Sequence, residues 1–377
     1  MPKKHAVKMP AFAAGFLWAL AALFPAAWAA DEKDAVAASL ERRQRVELLS
    51  FFLKDPGEAT LPTTPDSIIF FNEAVAHFQK HEYDLARTAL SESIKYDDQN
   101  ALAYELLGDV DNLEQKLKDA KANYEIAYNL QPTAGLLAKI QKINLEVKVD
   151  KKLDTYEEEH FLIKYYNDEL RPVEGWELRE LLRKTYLKLS KEFAYYFRHK
   201  VVVLLYDNED FVNTVQSAHW AAGVYDGKVR MPINRKGFTD KDLEAIVTHE
   251  VTHAFVAAMS QLRAPLWINE GLATYQEYQI RPGGASTFES AVKAGQMIPL
   301  GQFIEMQDLM KVQDVVFISL FYQQAHALVK YLVARYGMFR VKQILIEFGG
   351  GKSSGEAIEN ILKISPAWLE REWKDSL

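Results

Sequence analysis

Along this 377-residue chain the rhythm of apolar positions changes repeatedly, and each change predicts a different kind of element. Ala11 to Phe24 form an almost unbroken apolar run, with Lys3, Lys4 and Lys8 before it and Ala27-Trp28-Ala29 after it. A positive start, a short apolar stretch and an A-x-A processing site make a secretory signal peptide over residues 1–29. The run falls short of the roughly 20 apolar residues of a spanning helix, so cleavage is expected, with no stable membrane span afterwards. From Asp31 to Lys54 an apolar stripe through Val36, Leu40, Val46, Leu49 and Phe52 ends at Asp55-Pro56-Gly57. That pattern predicts a leading helix and linker over 31–60, continued by the proline- and threonine-bearing stretch Leu61 to Pro65.

Between residues 66 and 149 the apolar spacing is helical, and one pattern recurs after 34 residues. In the second copy Tyr104, Leu107, Gly108, Leu117, Ala120, Tyr124, Ala127 and Pro132 alternate large, small and terminating residues. In the first copy Phe70, Ala74, Tyr83, Ala86, Leu90 and Ser93 stand 34 residues before the matching places. Small residues are needed where two helices cross closely, and large ones fill the groove between neighbours. The pattern resembles tetratricopeptide repeats, with two departures in the first copy: Asp98 stands in place of the terminating proline and Glu73 in place of a leucine. Gly135 to Val149 is the expected capping helix. Two repeats are few, so such an array is expected to lean on the domain that follows.

After Asp150 the pattern turns to mixed strands and helices. His160 to Tyr166 and Lys200 to Tyr206 read as strands, Glu174 to Tyr196 as a long amphipathic helix, and Val224 to Met231 as a hairpin or edge strand turning at Asp226-Gly227. Further on, Phe321 to Tyr336 reads as a helix, and Trp368 to Trp373 as a helix docking its tryptophans.

Candidate chemistry lies on the helix that Thr239 and Asp242 open as a T-x-x-D capping box, expected to run from Asp240 to Ala257 or Met259. It carries His249-Glu250-Val251-Thr252-His253. Histidines at i and i+4 lie about 40° apart around a helix and roughly 6 Å apart along it, so both imidazoles can reach one ion at about 2.0 to 2.1 Å. Glu250, beside the first ligand, is placed to act as a general base on a water at the ion without being a ligand. A catalytic zinc needs a third protein ligand and one open position. Glu270 offers that ligand after 16 intervening residues, once a turn at Ala264-Pro265 starts a second helix. Gly271 and Ala273 are then expected where the two helices approach, with Leu272 and Tyr275 packing beneath.

The stretch Trp267-Ile268-Asn269-Glu270-Gly271-Leu272-Ala273-Thr274-Tyr275-Gln276-Glu277, together with the H-E-x-x-H string, resembles the gluzincins of the peptidase MA superfamily, and its second helix is similar to that of the aminopeptidase branch. The resemblance covers roughly residues 155 to 377. It implies one zinc ion on His249, His253 and Glu270, with Glu250 as base and proton shuttle. It also implies an oxyanion donor from a later helix, for which Tyr322 and His326 are the candidates, spaced i and i+4. Thr274 and Glu277, about one and two turns past Glu270, are candidates to hydrogen-bond a ligating imidazole. His219-Trp220 either lines the cleft or packs a loop. The interval from His253 to Glu270 is shorter than is usual in the family, and the Gly-x-Met-Glu-Asn string that grips a free amino terminus is absent, so aminopeptidase specificity is not implied.

Composition narrows the field. There is no cysteine, which excludes disulfides, a lipid-anchored cysteine, thiol catalysis and cysteine-bound zinc. Export without disulfides fits a bacterial periplasm, or secretion from a bacterium, better than a eukaryotic extracellular space. Removing the three leader lysines takes the formal charge from −7 to −10, and an acidic chain without a basic patch is not expected to bind nucleic acid. The expected architecture is therefore an all-helical, tetratricopeptide-like unit over 66–149 followed by an α+β gluzincin-like domain over 153–377, of the thermolysin and aminopeptidase type. The expected function is zinc-dependent hydrolysis of a peptide or protein substrate, with the repeats recruiting a partner or presenting substrate. Two alternatives fit the same residues: an inactive zincin scaffold for protein–protein interaction in the envelope, and cleavage of cell-wall peptides.

Overall fold

Pro65 occupies the first helical position and Thr64 accepts a hydrogen bond from the Ser67 amide at 3.3 Å, so helix α1 (Pro65–Gln79) starts with its φ preset and one orphan donor satisfied. The protein is represented by a computed structural model that describes residues 64–166, 172–215, 224–232, 239–306 and 314–377. The signal peptide, the leading helix and His219-Trp220 lie outside the described residues.

Helices α2 (Tyr83–Tyr96), α3 (Ala101–Leu113) and α4 (Leu117–Leu130) complete two antiparallel pairs, and the 34-residue period is visible in the backbone itself. Both α2 and α4 have 14 residues, offset by 34, and the turns before them carry His81 (φ 57°) and Gln115 (φ 61°), again 34 apart. Gly108 is required within the second pair, because a Cβ there would lie 2.6 Å from the Tyr124 ring. Ala74, Ala86, Ala120 and Ala127 are fully buried at the other close crossings. Asn100 caps α3 and also donates to the buried hydroxyls of Ser67 and Ser93, tying the two pairs together.

The capping helix α5 (Ala134–Asp150) does not end the array in solvent. Its Val149 packs with Leu153, Val202, Leu204, Tyr206 and Phe211 on one face of a five-stranded sheet. That sheet contains β1 (Asp154–Glu157), β2 (Phe161–Tyr165), β3 (Val201–Tyr206), β4 (Val224–Tyr225) and β5 (Val229–Pro232), in the order β1-β2-β3-β5-β4. The pairs β2–β3 and β3–β5 are parallel, and the two edge pairs are antiparallel. Every residue of β3 is buried, as a continuous Val-Val-Val-Leu-Leu run requires when both faces are covered.

On the opposite face Phe161, Ile163, Val201, Val203 and Leu205 join the main core with α6 (Pro172–Phe193) and the helices that follow the sheet. The short helix α7 (Asn208–Val215) follows β3. Helix α8 (Asp240–Met259) has the expected capping box, with Thr239 and Asp242 each bonding the other's backbone, and α9 (Leu266–Tyr278) follows the turn at Pro265. The small helices α10 (Ser286–Ala294) and α11 (Leu300–Phe303) lead to α12 (Val315–Tyr336), capped by Asp314 and starting six residues earlier than its apolar pattern suggests. Helices α13 (Met338–Gly349), α14 (Ser354–Leu362) and α15 (Pro366–Asp375) close the core. Of the two C-terminal tryptophans only Trp373 docks, stacked on Phe288 at 6.0 Å; Trp368 is half exposed beside Arg371. No helix among the described residues is long and apolar enough to cross a membrane.

Candidate metal centre

Helices α8 and α9 run antiparallel, and three side-chain pairs set their register. Arg281, just past α9, pairs with Asp242 at the start of α8 at 2.7 Å. Midway, His249 Nδ1 meets Glu277 Oε2 at 2.8 Å, and one turn later His253 Nδ1 meets Asn269 Oδ1 at 3.0 Å. Folding back in this register places Glu270 opposite both histidines. Its Oε2 lies 3.8 Å from His249 Nε2 and 4.0 Å from His253 Nε2, and ligand atoms of all three residues fall within 4.8 Å of one another.

The donor set suits a zinc ion. Two donors on one tetrahedral zinc stand about 3.3 Å apart, so small rotations of the rings and the carboxylate would close the remaining gap. With both Nδ1 atoms engaged by oxygen acceptors, the Nδ1–H tautomer is favoured and both Nε2 lone pairs are left for the ion. The surrounding charge favours a cation at this ring, whether a proton or a metal ion that displaces it. Burial would push the His249 imidazole down, yet the Glu277 hydrogen bond and the carboxylates of Glu250 and Glu270 overcome it and raise His249 to about 9. A cluster with so much carboxylate around two imidazoles favours a cation.

The residues around the centre are packed into the main core. Val247, Val251 and Phe255 of α8 and Trp267, Ile268 and Leu272 of α9 are fully buried in the main core. Glu250 is itself only 3% exposed. Gly271 faces α12 rather than α8: a Cβ there would meet the Ala325 carbonyl oxygen and a Val329 methyl at 2.7 Å. The close approach foreseen at this glycine is therefore made to the helix that carries Tyr322 and His326. His326 packs its ring against Tyr278 at 4.5 Å, and burial, then the Lys330 charge, lowers it to about 4 in spite of Glu277. Tyr322, one turn earlier, is half buried and edge-on to Phe321 at 6.0 Å.

The model of the peptidase MA superfamily matches residues 183–377, the stretch that holds α8, α9 and α12. The chain belongs to the peptidase MA superfamily. No curated protein matches it. Membership in the superfamily points to metallopeptidase chemistry, typically zinc-dependent, and the His-His-Glu cluster lies inside the matched residues.

Two residues join the site that motif reading passes over. Asn269 holds His253 through Oδ1; of the two residues expected to bond an imidazole, Glu277 bonds His249, and Thr274 is buried one turn past Glu270. The signal for Asn269 is its place directly before the third ligand, which puts it one residue around α9 and still toward α8. Tyr225, on strand β4, lays its ring nearly parallel to His253 with centroids 6.5 Å apart. Only the sheet brings it there.

Proposed function

We propose that the protein is an exported zinc peptidase of gluzincin type, with His249, His253 and Glu270 as ligands and Glu250 as general base. The observation that carries this reading is the buried carboxylate of Glu250 next to His249 on α8, since a purely structural metal site needs no base. When bound, zinc would supply Lewis acidity toward the scissile carbonyl and make the attacking water more acidic. Glu250 takes the proton released as water attacks and delivers it to the leaving amine. Glu277 and Asn269 keep the two imidazoles in the tautomer that leaves Nε2 free. Tyr322 is the donor assigned to the carbonyl oxygen as it gains negative charge, with His326, kept neutral by burial, as the second candidate. The leader at residues 1–29 and the absence of cysteine support a periplasmic or secreted location. The 34-residue helix pairs support a tetratricopeptide-like unit that recruits a protein partner or presents an extended substrate.

The test is a peptide-library assay of the purified zinc-loaded chain, with and without chelator. Glu250→Gln is expected to retain one zinc and to lose about a thousandfold in kcat, and Tyr322→Phe about a hundredfold. Equal cleavage by Glu250→Gln and the unaltered protein rules out this mechanism. One tight zinc with no cleavage of any peptide assigns the scaffold role instead.

A further inference from the structure

Five charged side chains are packed between the helical repeats and the β4–β5 hairpin. Glu146 of α5 accepts from Lys228 at 3.0 Å and from Arg230 at 2.8 Å. Arg230 reaches back across the hairpin to Asp226 at 2.8 Å and donates to the Tyr206 hydroxyl at 2.8 Å. Lys142, one turn before Glu146, donates to Asp226 at 2.6 Å. The remaining Lys228 donors go to Asn112 at 2.8 Å and Gln115 at 3.0 Å, at the end of α3, so all three ammonium hydrogens are used. The side chains of Glu146, Asp226, Lys228 and Arg230 are each 1% exposed.

Such a cluster is a poor source of stability, because desolvating charges offsets most of what their pairing returns; apolar side chains of the same volume would hold two surfaces together as well. What it supplies is position. Hydrogen bonds of fixed direction allow one placement of the hairpin against α5, whereas an apolar contact tolerates sliding. β5 is already paired with β3, but the edge strand β4 has only two residues and two ladder partners, so it is this end of the hairpin that gains from the constraint. Its turn begins at Asp226, the residue after Tyr225, whose ring lies over His253. Asp226 of the charge cluster is thus the direct chain neighbour of the ring that lies beside His253.

We propose that the repeat unit forms part of the active site's frame: Glu146, reaching out of the capping helix, is a positioning residue that fixes the β4–β5 hairpin and through it Tyr225 at the His253 side of the metal centre. The inference rests on the peptidase reading for its kinetic arm alone. It makes the repeats more than a detachable adaptor, because any ligand that displaces α5 acts directly on the hairpin beside the site.

The test uses the full zinc-loaded chain and reads two quantities, amide hydrogen exchange over residues 224–232 and the kinetics of peptide cleavage. In Glu146→Gln, exchange of the hairpin is expected to rise by about tenfold while the 247–256 segment of α8 keeps its protection. KM is expected to rise about fivefold with kcat within about twofold, the pattern of a misplaced binding wall with its chemistry intact. Unchanged hairpin exchange in the folded variant overturns the proposal, as does faster exchange with an unaltered KM. Should Glu146→Gln not fold, Lys142→Met makes a milder cut at the half-buried rim of the same cluster, and about threefold faster hairpin exchange is expected, with wild-type exchange overturning the proposal. If the unaltered protein cleaves no peptide, the peptidase reading fails, and the exchange experiment still decides the clamp.

Discussion

His249 Nδ1 and Glu277 Oε2 lie 2.8 Å apart, a contact that joins the middle of α8 to the last turn of α9 and fixes the orientation of the first histidine ring. The carboxylate fixes which ring nitrogen carries the proton and makes the other a stronger donor to a cation. Glu277→Ala removes both effects and leaves all three ligands in place. Zinc affinity is expected to fall by about 10- to 100-fold in competition with a chromophoric chelator, and Asn269→Ala to give a similar loss at the other histidine. Unchanged affinity in both variants contradicts this role. Glu277→Gln, whose amide oxygen can still accept, is expected to fall in between.

Gly271 tests how the third-ligand helix is seated. Its missing Cβ lets α9 lie against the Ala325 carbonyl and Val329 of α12, and Gly271→Ala would put a methyl group 2.7 Å from each. A backbone oxygen cannot swing aside, so the helices must separate, at a cost of about 1 to 3 kcal/mol in unfolding free energy. Because Glu270 is the preceding residue, zinc affinity is expected to weaken too. Gly301→Ala, with open space at its Cβ, serves as the control and is expected to leave affinity unchanged.

Much of this site is legible in the chain because its logic is local. The capping box needs only Thr239 and Asp242, the i, i+4 histidines share one helical face, and Glu270 follows after one turn of chain. Strand β1 escapes because four mostly exposed residues carry no alternation to detect. Sequence distance hides the rest. Glu146 meets Lys228 and Arg230 across 82 and 84 residues, and nothing near Glu146 distinguishes it from a solvated helix face. Gly271 is recognisable as a close approach, but which helix approaches is decided by α12, more than forty residues on. For Trp368 and Trp373 apolarity alone does not say which one docks; the stack on Phe288 does.

Gly108 offers the corresponding test in the repeats. A Cβ there would fall 2.6 Å from the Tyr124 ring, which is held in place by its hydrogen bond to Asp109 at 2.7 Å. Gly108→Ala is expected to lower stability by about 1 to 3 kcal/mol and to raise amide exchange in α3 and α4 more than in α8. A uniform rise across both units would show instead that the repeats and the peptidase unit open as one body.

Acid should loosen the junction between the two units before it reaches most carboxylates. His81, in the turn between α1 and α2, stacks on His199 with ring centroids 5.3 Å apart, and it is bonded to the Tyr83 hydroxyl at 2.9 Å. Burial above all, with the neighbouring His199, lowers His81 to about 3, and burial lowers His199 to about 4. In the unfolded chain both return to about 6.5. Below that pH the unfolded state binds more protons than the folded one, so stability is fully present above about pH 6.5 and is lost progressively as pH falls toward 4 and 3. At about 1.4 kcal/mol per pH unit, either histidine alone removes about 2 kcal/mol between pH 6.5 and 5. In chemical denaturation across that range, His199→Phe is expected to flatten the fall by about that amount, since phenylalanine keeps the stacked ring and cannot be protonated. Parallel stability curves for the variant and the unaltered protein would remove the histidine pair as the cause.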